Sequence, residues 1–491
     1  MYFESTRGTE RVTASQAIIK GLADDGGLFV PENLPNFSKE DILKLCDMDY
    51  AQRAAYVLYK FFDEFSYEFL TEACEKAYSR FDMADPAPLI SLTEDEFVLE
   101  LYHGPTYAFK DVALTLLPYL MKESLRINGS DKKILIVSAT SGDTGKAALE
   151  SFKDIDGTKI IVFYPDGGVS EIQKLQMVTQ EGGNVNVVAV KGNFDDCQTA
   201  VKNFMNSPES TLEIEKEGYI VSSANSINIG RLAPQIAYYF STYCDLVNSS
   251  SIAYGDEVNF SVPTGNFGNI LACRYAQQMG LPIKKIICAS NANNVLTDFF
   301  KTGTYDKRRK LVKTESPSMD ILVSSNLERL LYDISGKNCS SVKEMMESLA
   351  QNGNYTFSGI KFLTKDFYAG YATDDDALDC IAFYFDEFGY VLDPHSATAV
   401  AVGNEYFEKE RDYAPIIYVS TASPYKFPIA VYDAIAEKKL SNPFDAINRI
   451  FNETGMEIPQ GIIGLKEKNI RFTKTIDKAD VFKVILDFAK Q

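Results

Sequence analysis

The chain has 491 residues, with 49 basic against 68 acidic side chains and a formal net charge of −19. At roughly 100 to 200 residues per domain, this length implies two or three domains with cores that need neither disulfides nor metals. The acid excess argues against a nucleic-acid or anionic-membrane partner, because like charges repel, while backbone N–H groups can still hold a small anion.

Along the chain, residues 1–88 carry a helical pattern, with apolar positions three and four apart through 50–65 and 68–81. Beyond them, short β-branched runs alternate with amphipathic stretches: strand 133–139 then helix 145–152, strand 159–164 then helix 170–179, and strand 185–190 then helix 195–205. Strand 219–222 precedes a helix over 229–243, and strand 257–262 precedes a helix over 269–278. This alternation predicts an α/β fold of doubly wound parallel sheets, in which ligands sit beyond the C-terminal ends of the strands. Eight scattered cysteines without a C-x-x-C pair read as reduced structural thiols. The first ten residues lack an apolar signal core and apolar runs such as 112–121 are too short to span a bilayer, so the expectation is a soluble cytoplasmic protein with no membrane partner.

Three loops have the makings of a site. Residues 263–269 (PTGNFGN) lie between a strand and a helix. Two glycines permit close approach there, and a helix start with unpaired N–H groups attracts phosphate more readily than an ordinary turn requires. Residues 138–146 (SATSGDTGK) also follow a strand. They fail as a P-loop because Thr140 replaces the first glycine and Ala147 follows Lys146, which leaves either an anion site or a capped helix start. In 103–111 (HGPTYAFKD), Gly-Pro forces a turn and Lys110 follows an apolar patch. Desolvation there favours the neutral amine needed for Schiff-base chemistry, although on its own the pair Phe-Lys reads as a surface lysine.

Only two histidines are available, which restricts triads and zinc sites, and no metal is expected. His395 lies in Asp393-Pro394-His395-Ser396, the pattern of an N-cap with proline at the first helical position. Ser-x-x-Lys occurs at 130–133, 340–343 and 423–426 with a Lys-Thr-Gly at 301–303, an imitation of a penicillin-recognising enzyme that lacks Ser-Asp-Asn.

In combination the loops are distinctive. The blocks ADDGGLFVP (23–31), HGPTYAFKD, SATSGDTG, SANSIN with Arg231, VPTGNFGNI, ESPSMDILVSSNLERL (315–330), LDPHSA (392–397) and STASPYKF (420–427) follow in order over nearly the whole chain. The sequence resembles the threonine synthase family, in its longer microbial and fungal branch, among pyridoxal-phosphate enzymes of fold type II. The resemblance implies pyridoxal 5'-phosphate as cofactor, with Lys110 as the Schiff-base and catalytic lysine. It implies Gly265, Asn266, Phe267, Gly268 and Asn269 around the cofactor phosphate, Thr421 at the ring nitrogen and Asp143 near the ring oxygen. Ser141, Gly142 and Thr144 would hold the substrate carboxylate, and Ser226, Asn228 and Arg231 the substrate phosphate. Ile229 departs from the tryptophan frequent in relatives, which affects the wall of the site.

The implied reaction converts O-phospho-L-homoserine and water into L-threonine and phosphate; a related phospholyase would give a keto acid and ammonia instead. The implied organisation is a mostly helical segment 1–88, a cofactor domain of 89–132 and 241–430, a smaller domain 133–240 that closes over substrate, and an extension 431–491. A monomer or small homo-oligomer is expected.

Overall fold

A computed structural model of the chain describes residues 1–140, 142–167, 169–205, 207–359, 364–436 and 438–491. Two sheets organise it, as the alternation of strands and helices requires. The larger runs in the order Phe367–Tyr371, Ile283–Ser290, Val258–Pro263, Ile416–Ser420, Glu96–Glu100, Leu89–Ser91. Its first five strands are parallel, and Leu89–Ser91 pairs antiparallel with Glu96–Glu100 at the edge. The central strands Val258–Pro263 and Ile416–Ser420 are buried along their full lengths. Sheets covered on both faces select such continuous apolar runs.

The smaller sheet has the order Thr475–Ile476, Val185–Val190, Thr158–Pro165, Lys133–Ala139, Tyr219–Ser222, all parallel. Strands 133–139, 185–190 and 219–222 stand where the sequence places them. The last stretch of chain returns to this sheet. Thr475–Ile476 pairs beside Val185–Val190, and the helix Val481–Lys490 puts Val481, Val484, Ile485 and Phe488 into one apolar cluster with Leu135, Val137, Ile161 and Phe163.

Two differences from the sequence reading have clear causes. The helix expected over 229–243 is divided into Ile229–Leu232 and Pro234–Asn248. Pro234 supplies no N–H for a continuing ladder but suits the first position of a new helix. The N-terminal region adds a three-stranded antiparallel sheet of Arg11–Thr13, Tyr2–Ser5 and Phe29–Pro31 to its helices. Strands of three or four residues are too short to show an alternating pattern. The helix Pro234–Asn248 packs on Tyr50–Phe61 and on Gly268–Gln278, joining the N-terminal helices to the large sheet through one core.

Ile485 is fully buried under the small sheet. Replacing it with alanine removes transfer energy and leaves a cavity, so Ile485→Ala should lower stability by about 2–4 kcal/mol. A fall in the urea midpoint, with far-UV circular dichroism of the folded state unchanged, is the expected result.

Candidate active site

Three loops leave the C-terminal ends of three neighbouring strands of the large sheet, Glu96–Glu100, Ile416–Ser420 and Val258–Pro263. That end of a parallel sheet is where helix starts and irregular backbone converge on a ligand. The first loop delivers Lys110, the first residue of the helix Lys110–Leu114. Fully buried Asp111 shapes the turn by accepting from the Thr106 N–H at 2.7 Å and the Thr106 hydroxyl at 2.6 Å. A Cβ on Gly104 would lie 2.4 Å from that of Asp111, so only glycine fits there. Phe109 N–H donates to Thr421 O at 2.9 Å and Ser423 N–H to Tyr107 O at 3.0 Å, which locks the Lys110 loop to the Thr421 loop. Thr421 N–H is held by Ser396 Oγ at 3.2 Å, and the Thr421 hydroxyl has no partner among the described residues.

The smaller sheet meets this edge through strand Lys133–Ala139 and the helix Asp143–Phe152. Asp143 Oδ2 lies 3.6 Å from Lys110 Nζ and accepts from Ser318 Oγ at 3.1 Å. Its other oxygen accepts from Lys426 Nζ at 2.8 Å and Gln173 Nε2 at 3.1 Å. The Lys110 side chain is 13% exposed, Asp143 4% and Lys426 1%. Burial lowers the Lys110 pKa; Asp143 opposes that shift, and the charges of Lys426 and Arg231 add to it. Burial works against ionised Asp143, but Lys426 and Lys110 outweigh it and hold the carboxyl below its usual range.

Of the residues expected at the substrate carboxylate, Ser141 lies outside the described residues. Gly142 directs its N–H to Thr140 Oγ1 at 3.0 Å, as does Gly145 at 2.9 Å, so Gly142 shapes the loop instead of offering that amide to a ligand. At φ 152° a Cβ on Gly142 would sit 2.5 Å from the Gln173 amide. Asp143 and Thr144 follow as the first two helical residues, whose N–H groups have no acceptor within the helix.

The loop 264–269 opens the helix Gly268–Gln278, with Phe267 left-handed at φ 63°. Asn269 Oδ1 accepts from the hydroxyls of Tyr238 at 2.5 Å and Tyr239 at 2.6 Å, while its Nδ2 is buried with no partner. Gly265 O accepts from Ser324 Oγ at 2.6 Å, and Asn266 O accepts from Asn326 N–H at 3.0 Å.

The remaining three expected residues divide by role. Arg231 is 3% exposed, donates through Nη1 to Ala224 O at 2.7 Å, and has a buried Nε without a partner among the described residues. Burial pushes its pKa down to about 10, and no carboxylate offsets this. Ser226 Oγ accepts from Asn326 Nδ2 at 3.3 Å. Asn228 caps its helix through the Gly230 N–H at 2.8 Å and reaches Ile18 O at 2.9 Å, so its side chain fastens the Arg231 turn to the N-terminal region.

The comparisons with known proteins agree along the chain. Family profiles described as Threonine synthase N terminus, Pyridoxal-phosphate dependent enzyme and Threonine synthase, C-terminal match residues 2–78, 85–420 and 396–485. Threonine synthase of Pseudomonas aeruginosa is 38% identical over 88% of this chain and 90% of its own. The chain belongs to the threonine synthase family. Human Threonine synthase-like 1 is 41% identical over 87% of this chain, which spans only 58% of that relative's length. Among solved structures, the pyridoxal-phosphate-bound threonine synthase of Brucella melitensis superimposes with a TM-score of 0.89 at 36% identity, covering 100% of both chains. The yeast enzyme gives 0.87 at 32%, covering 99% of this chain and 97% of its own.

The residues present fit the cofactor of the threonine synthase family. A largely buried lysine, a helix start with an Asn269 amide and a Thr421 hydroxyl that have no partner among the described residues all lie at the C-terminal end of the large sheet. A Cβ on Gly265 would come within 3.3 Å of Met319 Cα and Ser318 O, so the absence of a side chain keeps the loop close to that backbone.

Four residues important to this site were not assigned from the sequence. Lys426 and Gln173 hold Asp143, and Ser318 joins them. Fully buried Arg329 donates from Nε to Phe29 O at 2.9 Å, from Nη2 to Ile227 O at 2.5 Å, and to Asn326 Oδ1, tying its own helix start to the strand Phe29–Pro31 and to the loop of Ile227. In sequence Arg329 follows Glu328 and looks like half of a surface pair; only the family blocks that contain it and Lys426 carried a signal. Asp393 caps the helix Pro394–Glu410 as expected, and His395 bonds Asp393 Oδ1 through Nδ1 at 2.8 Å while Nε2 accepts Ser318 N–H at 3.1 Å.

His103, at the entrance to the Lys110 loop, lies 2.8 Å from Glu100 and 3.3 Å from Asp82. Burial disfavours its charge, but the two carboxylates prevail and raise its pKa to about 9. A raised pKa in the folded state gives stability that is full below about pH 6.5 and is lost as pH climbs through about 9. Allowing for the exposure of Asp82, the wild type should exceed His103→Gln by roughly 2 kcal/mol at pH 6. Melting curves from pH 6 to 10 should show that difference shrinking through pH 9.

Proposed function

We propose that the chain is a cytoplasmic carbon–oxygen lyase that converts O-phospho-L-homoserine and water into L-threonine and phosphate. The observation that carries this reading is Arg231, a buried guanidinium with an unpartnered Nε and no carboxylate, whose charge acts on Lys110. A phosphate dianion supplies both missing features, countercharge and hydrogen-bond acceptors. The N–H groups of Asp143 and Thr144, with the Thr144 hydroxyl, suit the carboxylate at the other end of a short substrate.

Pyridoxal 5'-phosphate would be held by Lys110, Thr421, Asp143 and the loop Gly265, Asn266, Phe267, Gly268, Asn269. When bound, it supplies the electron sink for charge left on carbon as a proton departs. Lys110 Nζ, once freed by the substrate amino group, takes the proton from Cα. A second proton then leaves Cβ, whose electron pair forms the Cβ–Cγ double bond that expels phosphate, and Cγ is reprotonated before water adds at Cβ. Arg231 and Ser226 orient the phosphate ester and receive the negative charge as the Cγ–O bond breaks. Asp143 keeps the Lys110 nitrogen directed at its target. Segment 133–240 would close over the substrate and exclude water until its addition at Cβ.

Two substitutions test this. Lys110→Ala should abolish phosphate release, and full retention would refute the scheme. Arg231→Lys replaces a forked donor with a single ammonium and should lower kcat/KM for phosphohomoserine roughly 100-fold, matching the loss of a charge-assisted bond of about 2–3 kcal/mol. Products should be phosphate and threonine in equal amounts; 2-oxobutyrate with ammonia would identify a phospholyase instead.

A further inference from the structure

Lys426 is a second buried lysine at the site, and the reaction just described gives it no task. Its ammonium is wholly inside the protein, 2.8 Å from Asp143 Oδ1 and 2.9 Å from Thr106 O. Thr106 is the residue whose N–H and hydroxyl are bound by Asp111, five positions along in the Lys110 turn. Lys426 therefore grips the catalytic loop at one point and the carboxylate that faces Lys110 at another. We propose that Lys426 is a positioning residue which shares Asp143 with Lys110, so that the carboxylate orients the Lys110 nitrogen without trapping a proton on it. This inference rests on the assignment of Lys110 above.

The argument is one of charge balance. An isolated buried carboxylate 3.6 Å from an amine favours the protonated amine, because the resulting ion pair relieves both desolvated charges. Lys110 would then remain an ammonium, unable to capture an aldehyde or accept a proton. Lys426 Nζ on the other oxygen supplies Asp143 with its counterion and adds like-charge repulsion toward Lys110. The remaining groups around the pair are accounted for. Arg231 adds positive charge from the helix Ile229–Leu232, and His395 lies near enough to act on Asp143. Asp111 lies on the far side of the turn, under the influence of Lys426, and its carboxylate is engaged by Thr106. Gln173 and Ser318 contact Asp143 as neutral donors. Among these groups, Lys426 alone has both a direct bond to Asp143 and a full charge.

The test follows the rate at which the full-length enzyme, stripped of cofactor, recaptures pyridoxal 5'-phosphate between pH 5.5 and 10. Capture requires neutral Lys110, so the midpoint of the profile reports its proton affinity, and turnover is not involved. Lys426→Met keeps the volume of the side chain and removes its charge. It should move the midpoint up by about one unit or more, making capture at pH 7 roughly tenfold slower. Lys426→Arg should leave the midpoint near the wild-type value, and Asp143→Asn should move it down. An unshifted midpoint in folded Lys426→Met, or equal shifts in the Met and Arg variants, would overturn the inference. If Lys426→Met does not fold, a rise or no change in Asp143→Asn overturns it and a fall supports it. Borohydride reduction of the loaded wild type separates the two levels: label on a residue other than Lys110 refutes the functional reading itself, whereas label on Lys110 with unchanged midpoints refutes only the role of Lys426.

Discussion

The active end of this molecule is arranged around one carboxylate placed between two lysine side chains. Removing a charged carboxylate from water costs several kcal/mol, and that cost is recovered only with close countercharge and a full set of donors. Asp143 has Lys426, Gln173 and Ser318 within 3.1 Å, with Lys110 slightly farther away. These partners come from separate parts of the chain. Asp143 follows a strand of the small sheet, Lys110 and Lys426 follow two adjacent strands of the large one, and Gln173 comes from the helix Glu171–Val178. The same interaction that orients Lys110 is thus a tie between the two sheets.

The charge of the site is the reverse of the charge of the protein. Against a net −19 overall, the buried set Lys110, Lys426, Arg231 and Asp143 has three basic side chains and one acidic. Distant surface carboxylates are screened by solvent, whereas buried groups interact through a weaker dielectric, so local composition governs what binds. Arg231 shows this most clearly. With no carboxylate shifting its pKa among the described residues, its guanidinium bears the desolvation penalty uncompensated, and a dianion at this position would gain what a paired arginine has already used.

Much of this was legible in sequence, and the limits have physical reasons. Continuous β-branched strands such as Lys133–Ala139 and Val185–Val190 announce a covered parallel sheet, and the Gly265–Asn269 loop lies between a strand and a helix, as its glycines and flanking patterns imply. Lys110 gave only a weak local signal, a turn and an apolar neighbour that a surface lysine shares; its expected role came from the ordered family blocks. Lys426 was visible only within a family block and as one of three Ser-x-x-Lys matches, because nothing in a sequence distinguishes a buried lysine from a solvated one. Asn228 matched a substrate-binding motif, yet its side chain is occupied with Gly230 and Ile18, a division of labour that only the path of the N-terminal helix Ala14–Lys20 reveals. The small sheet's edge strand Thr475–Ile476 is two residues long and far away in sequence, beyond the reach of any periodicity.

The segment 314–321 explains how the start of the Asp143 helix and the loop Gly265–Asn269 keep a fixed relation. Asp320 anchors it by accepting from Thr314 N–H at 3.0 Å, Asn291 at 2.9 Å and Asn293 at 3.0 Å, at the end of strand Ile283–Ser290. The buried imidazole of His395, with Nδ1 directed to Asp393, must present an unprotonated Nε2 to receive Ser318 N–H, so this tautomer fixes the segment at its middle. From there Ser318 Oγ reaches Asp143, and the Ser318–Met319 backbone passes so close to Gly265 that a side chain there would meet it at 3.3 Å. A displacement of this one segment would therefore disturb the carboxylate facing Lys110 and the loop expected to hold the cofactor phosphate together. A histidine buried between an aspartate and a backbone amide thus helps hold both regions in register.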